Sequence, residues 1–163
     1  MKRINYTART LEFLRNSGWQ VQVVERFNPF CKRRVDLFGI IDIVGLREQR
    51  ILGVQSTSYQ CRKGHLDKIC IEESDSTRAW LEAGAELWLL TWKKVKVKRG
   101  GTAFRYEPVL DIIDAHFIQA YLTDSPLDLC EQVQVQIEPD LPPGLSVDTV
   151  AAEMESPVSA KRR

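Results

Sequence analysis

Residues 36–58 read DLFGIIDIVGLREQRILGVQSTS, and the way this stretch pairs with itself decides the fold. Two apolar runs, IIDIVGL (40–46) and ILGVQSTS (51–58), flank the short polar segment REQR (47–50). Such a pattern predicts an antiparallel hairpin. A turn centred on REQR sets Asp42 opposite Gln55. Thr57 then shares the face of Gln55, because side chains two apart on a strand point the same way. An acid facing an amide inside an apolar hairpin is costly unless both find partners. A divalent cation with oxygen ligands, Mg²⁺ or Mn²⁺, satisfies a carboxylate and a carboxamide oxygen together.

Asp36 needs separate treatment. It precedes Asp42 by six residues, so on a straight strand it points the same way but stands ~20 Å off, too far for one ion. Gly39 lies between them, where a bulge or bend can fold Asp36 back toward Asp42. The competing reading pairs Asp36 with Arg33 or Arg34. Both stay open at the level of sequence.

Working outward, NYTARTLEFLRNS (5–17) places Ala8, Leu11 and Leu14 at helical spacing, with Asn5 as N-cap and Gly18 just past the end. WQVQVVERF (19–27) alternates as a half-buried strand, and NPFCKRR is a basic turn. Residues 63–83 read as helix, interrupted near Ser74 and Asp75. AELWLLTW (85–92) is apolar on both faces, the mark of a central strand. KKVKVKRGGTAFRYEPVLDI (93–112) reads as an edge hairpin turning at Gly100–Gly101, with Lys93, Lys94, Lys96 and Lys98 on its outgoing arm. IIDAHFIQAYL (112–122) closes with a short helix. The order is helix, three strands, helix, two strands, helix: an α/β fold with a central mixed sheet flanked by helices.

Residues 1–122 form the expected domain and 123–163 a flexible C-terminal tail, which holds five of the seven prolines and one weak strand signal, VQVQI. The overall charge of +1 divides between them. Residues 123–163 carry eight acids against three basic residues, leaving the body with 14 acids and 20 basic residues. A basic body suggests a polyanionic partner. No apolar run approaches the ~20 residues needed to span a bilayer, and no apolar segment follows Met1–Lys2–Arg3, so a cytoplasmic protein is expected. The four cysteines, Cys31, Cys61, Cys70 and Cys130, form no CxxC pair. Cys61, His65 and Cys70 with Cys31 offer a zinc alternative, but free thiols are the simpler reading. Trp80, Trp88 and Trp92 fall at core positions rather than at base-stacking ones.

With the acid on the second strand of the motif and GVQST on the third, the chain resembles the PD-(D/E)XK nuclease superfamily. Its layout over residues 5–112 is similar to that of Holliday junction resolvases, and DLFG-x-x-D with GVQ-x-T is similar to small phage-encoded proteins of that type. The resemblance implies a restriction-endonuclease-like αβββαβ core and Mg²⁺- or Mn²⁺-dependent hydrolysis of DNA phosphodiesters, in phage recombination, repair or packaging. Asp42 matches the metal-binding acid, and Gln55 the acidic position of the (D/E)-x-K triplet, where some restriction enzymes also carry Gln. Thr57 stands where the family has a lysine that orients the attacking water or stabilises the phosphate, and a threonine supplies no positive charge. Lys63 or Lys68 from the following helix can replace it, and Glu12 on the first helix matches an acid common in resolvase-like members.

The expected site is therefore Asp42, Gln55, Thr57 and Asp36, with Asp42, Gln55 and Asp36 as metal ligands. Lys32, Arg33, Arg34, Arg62, Lys63 and Lys68 border the motif strands as DNA contacts. The partner expected is duplex or branched DNA, with a homodimer suited to a two-fold junction. Two alternatives compete: a catalytically decayed nuclease fold that binds DNA or protein, favoured by Thr57, and an unrelated α/β domain in which Asp42 and Gln55 only bond each other.

Overall fold

A computed structural model describes residues 4–30, 32–99 and 101–123. In chain order the elements are α1 (Tyr6–Asn16), β1 (Gln20–Val23), β2 (Arg26–Asn28), β3 (Arg33–Val35), β4 (Ile43–Arg47) and β5 (Arg50–Ser58). A 3₁₀ turn at Tyr59–Cys61 then leads into α2 (Arg62–Asp67), a π-helical turn at Lys68–Glu72 and α3 (Ser74–Glu82). β6 (Glu86–Lys96), β7 (Phe104–Ile113) and α4 (Ala115–Thr123) complete the fold.

Five strands form one mixed sheet in the order β1-β4-β5-β6-β7, and β2 and β3 form a separate two-stranded ribbon. Only β5 and β6 run parallel; the other pairs are antiparallel. A parallel pair needs a long crossover, and α2, the π turn and α3 supply it. The β4–β5 register pairs Arg47 with Arg50 and Ile43 with Val54. Continued by one residue, it sets Asp42 against Gln55.

The sheet is covered on both faces. Leu14 of α1 packs with Trp19, Ile43, Leu52, Val54, Leu90 and Trp92 on one side. Ile40, Ile41, Leu66, Ile69, Leu87, Leu89, Ile113 and Phe117 fill the other, under α2, the π turn and α4. β6 feeds both cores, as its two-sided apolar sequence requires. No helix among the described residues is long and apolar enough to cross a membrane.

α1 is closed at both ends by its own sequence. Asn5 accepts the Ala8 N–H at 3.0 Å. Gly18, at φ +80°, lets its own N–H reach Arg15 and that of Trp19 reach Leu14, the pattern of a Schellman cap. The buried stripe differs from the expected one: Ala8 is exposed, and Thr10 is fully buried instead. The Thr10 hydroxyl lies 2.7 Å from Ser56 Oγ and accepts the Trp92 indole N–H at 2.9 Å, so a hydrogen-bonded polar residue holds α1 to the sheet.

Three further expectations are corrected. WQVQVVERF is two strands, because the N–H groups of Val24 and Glu25 both turn to the Asp42 carbonyl and end β1. The expected edge hairpin is present, but its lysine arm is the end of β6 and not a strand of its own. Pairing of β6 with β5 stops at Trp92, and beyond that point only β7 pairs with it. There Lys93 lies over the Tyr59 ring and Lys94 over Phe104. Arg62, expected outside as a phosphate contact, forks onto Asp111 of β7 through Nε (2.8 Å) and Nη2 (2.6 Å). The expected tail, with VQVQI and Cys130, lies outside the described residues apart from Thr123, and so does Cys31; Cys61 is exposed and Cys70 buried.

The Asp111 side chain is 2% exposed and its Arg62 partner 13%. Removing one member of a buried pair strands the other charge, at a cost of about 3–5 kcal/mol. Arg62→Met is expected to lose that much in urea denaturation, and the double variant Arg62→Met/Asp111→Leu to recover most of it.

Candidate metal centre and its surroundings

The open end of the β4–β5 hairpin collects acidic groups from three parts of the chain. One carboxylate oxygen each from Glu25, Asp36 and Asp42 lies within 4.8 Å of the others. Glu25 enters where β1 ends. Asp36 follows β3 directly, and Asp42 directly precedes β4.

Asp36 arrives by a tight reversal rather than along a straight strand. Phe38 and Gly39 both have positive φ, +53° and +78°, and the Ile40 N–H closes the turn on the Leu37 carbonyl at 3.2 Å. Positive φ at both central residues defines a type I′ turn. Leu37 and Ile41 pair as an isolated bridge across it. The bend that Gly39 made available is thus present, and it brings Asp36 beside Asp42. A side chain at Gly39 would be strained by its φ, and a Cβ there would stand 2.9 Å from the Glu73 carboxyl carbon.

Asp42 is 6% exposed. Its Oδ2 accepts the Gln55 Nε2 donor at 3.0 Å and the Ser56 N–H at 2.9 Å. Gln55, 3% exposed, is left with a buried Oε1 that no described group bonds. Burial raises the Asp42 pKa from 3.8 to about 7; the Ser56 N–H opposes the rise, while the charges of Asp36 and then Glu25 add to it.

Positive charge reaches the cluster from two sides. Lys68, first residue of the π turn, places Nζ 2.7 Å from Asp36 Oδ2, and Arg34 places Nη1 2.7 Å from Glu25 Oε2. The π turn closes with the Glu73 N–H on the Lys68 carbonyl at 2.8 Å and keeps Ile69 and Cys70 in the core while Lys68 faces the acids. A cavity of about 310 Å³ opens here, lined by Arg34, Val35, Asp36, Gly39, Lys68 and Glu73. The larger cavity, about 520 Å³, lies among Ile69, Leu81, Ile118 and Leu122 and touches none of these three carboxylates.

The remaining expected residues separate. Thr57 stays on β5, in register with Thr91 of β6. Lys32 and Lys63 are exposed, and Glu12 is exposed on α1 without joining the cluster. Arg33 is placed in β3 by its backbone. Glu25 is not singled out by the sequence, and His65 is there only a lesser candidate. Glu25 ends an alternating strand and carries no local signal. His65, a lone helix histidine, has a buried Nδ1 without a partner among the described residues. Its pKa is lowered by burial first and then by Lys68, with Asp36 acting in the opposite sense.

The three carboxylates, with no sulfur among them, suit a hard divalent cation, and Gln55, which now presents Nε2 to Asp42, would add its amide oxygen by turning the amide over. No protein-family model, curated protein or solved structure matches the chain, so the site stands on its own atoms.

The raised Asp42 pKa has a defined linkage sign. The folded chain keeps a proton on Asp42 that the unfolded chain loses above about 3.8, so without metal this group costs stability as pH rises toward about 7. Measured in EDTA, the stability of Asp42→Asn relative to the parent is expected to grow between pH 4 and 7 and to level off above that range. Urea titrations at several pH values read this difference directly.

Proposed function

We propose that the chain is a metal-dependent phosphodiesterase acting on DNA, built like the PD-(D/E)XK nucleases it resembles. The observation that carries this reading is the cluster of half-buried Glu25 and Asp36 with buried Asp42, beside which Gln55 keeps a buried, unpartnered Oε1. These four residues would hold Mg²⁺ or Mn²⁺. When bound, such an ion neutralises charge at a phosphate and acidifies water.

The chain's own residues supply the rest. Lys68 provides the fixed positive charge that Thr57 lacks; it comes from the helix after β5 instead of from β5 itself and stands on Asp36 at the cavity wall. Arg34 is 68% exposed while it pairs with Glu25, so it can turn to an incoming phosphate, with a cation bound at the cluster taking over the Glu25 charge. Burial of Asp42 and Gln55 limits water around the reacting group and strengthens each electrostatic contact there. Phosphate contacts by Arg34 and by exposed Lys32 and Lys63 make binding salt-sensitive and indifferent to sequence.

One observation favours a second reading, the same fold as a binding module without chemistry: Asp42 and Gln55 already satisfy part of each other's bonding at 3.0 Å. Cleavage separates the two. With Mg²⁺ or Mn²⁺, the wild type is expected to nick duplex or branched DNA. Asp42→Asn should abolish cleavage, and Lys68→Met should slow it ~10²-fold, the usual effect of removing one charge-stabilising donor. No cleavage by the wild type, or full cleavage by Asp42→Asn, would leave only the binding module.

A further inference from the structure

The β2–β3 ribbon stands outside the main sheet, and its base is the acidic cluster itself. Its register pairs Arg26 with Val35 and Phe27 with Arg34. Glu25 and Asp36 are therefore the next pair inward, and Glu25, Phe27, Arg34 and Asp36 share one face. The Arg34–Glu25 ion pair lies on that face. Phe27 stands two pairs outward, ~7 Å along the strand from the carboxylates.

The ribbon leaves its aromatic surface in solvent. Phe27 is 64% exposed and Phe30, in the connecting turn, 96%. A Phe side chain is stabilised by burial, and the main cores bury Phe117 and Trp92 but neither of these. Residues 26–35 also carry four basic residues and no acid. Exposed aromatic rings interleaved with cations at the rim of a phosphodiesterase site match a nucleic-acid strand, whose bases stack and whose phosphates pair.

We infer that the ribbon selects DNA with an unpaired base beside the phosphate to be cut. Phe27 is the stacking platform, and Arg34, its cross-strand neighbour, takes the adjoining phosphate. Inside a duplex each base is already sandwiched between neighbours and offers Phe27 no face, so single-stranded or splayed segments are preferred over fully paired DNA. This substrate class rests on the phosphodiesterase reading of the same site. An anionic membrane fits the cations and rings less well, since two carboxylates at the base of the ribbon would face its headgroups.

The test is fluorescence anisotropy of the full chain in EDTA with a labelled single strand and with the same sequence as a blunt duplex. Wild type should bind the single strand more tightly. Phe27→Ala should weaken single-strand binding ~10-fold and leave duplex binding unchanged, while Phe27→Trp retains the preference and controls for folding. Equal binding by Phe27→Ala, an equal loss on duplex, or Phe27-dependent binding to phosphatidylserine vesicles in place of DNA would overturn the inference. Because no cleavage is needed, Phe27-dependent single-strand binding by a chain that cuts nothing would sink the nuclease reading alone. Asp42-dependent cleavage with Phe27-independent binding would sink the ribbon alone.

Discussion

A carboxylate buried at the mouth of a β-hairpin is the constraint on which the rest of this site depends. Asp42 sits between Ile41 and Ile43, both fully buried, where an unpaired charge would be very costly. Two N–H donors, from Ser56 and Gln55, hold one of its oxygens, and a pKa near 7 keeps a proton within reach at neutral pH. The same main chain binds the neighbouring strand: the Asp42 carbonyl takes the N–H groups of Val24 and Glu25. Fixing Asp42 therefore fixes Glu25 as well.

The other members are brought in by local distortion. Phe38 has a bulky side chain in the left-handed region, a conformation that costs about 1–3 kcal/mol and persists only where surrounding contacts hold it. The Phe38 ring lies 6.2 Å from that of Trp80, a contact on the α3 side of the turn. The π turn is a second irregularity, and Lys68 begins it. Both departures from regular geometry deliver a charged group, Asp36 and Lys68, to one point, where the two pair at 2.7 Å.

Much of this was legible in the sequence, and the reasons are specific. REQR fixes the turn, the turn fixes the register, and the register puts Asp42 and Gln55 together without further assumption. The helix caps of α1 are equally local. Asp36 could be read only conditionally, because the bend at Phe38–Gly39 depends on contacts to distant α3. Glu25 could not be read, since nothing in VVERF separates a site acid from a solvated one. Arg62 was misplaced for a related reason: its partner Asp111 is 49 residues away, beyond any sequence pattern. The lysine run belongs to β6 because that strand outlasts β5, a length mismatch visible only once the pairing is known.

The proposed site holds one divalent cation among Glu25, Asp36, Asp42 and Gln55 together. Crystals grown with MnCl₂ and measured near the manganese absorption edge test it most directly. A single strong anomalous peak per chain is expected within the carboxylate group and in contact with Gln55 Oε1, absent from crystals of Asp42→Asn. A cluster without a peak at saturating Mn²⁺, with Lys68 still on Asp36, would contradict it.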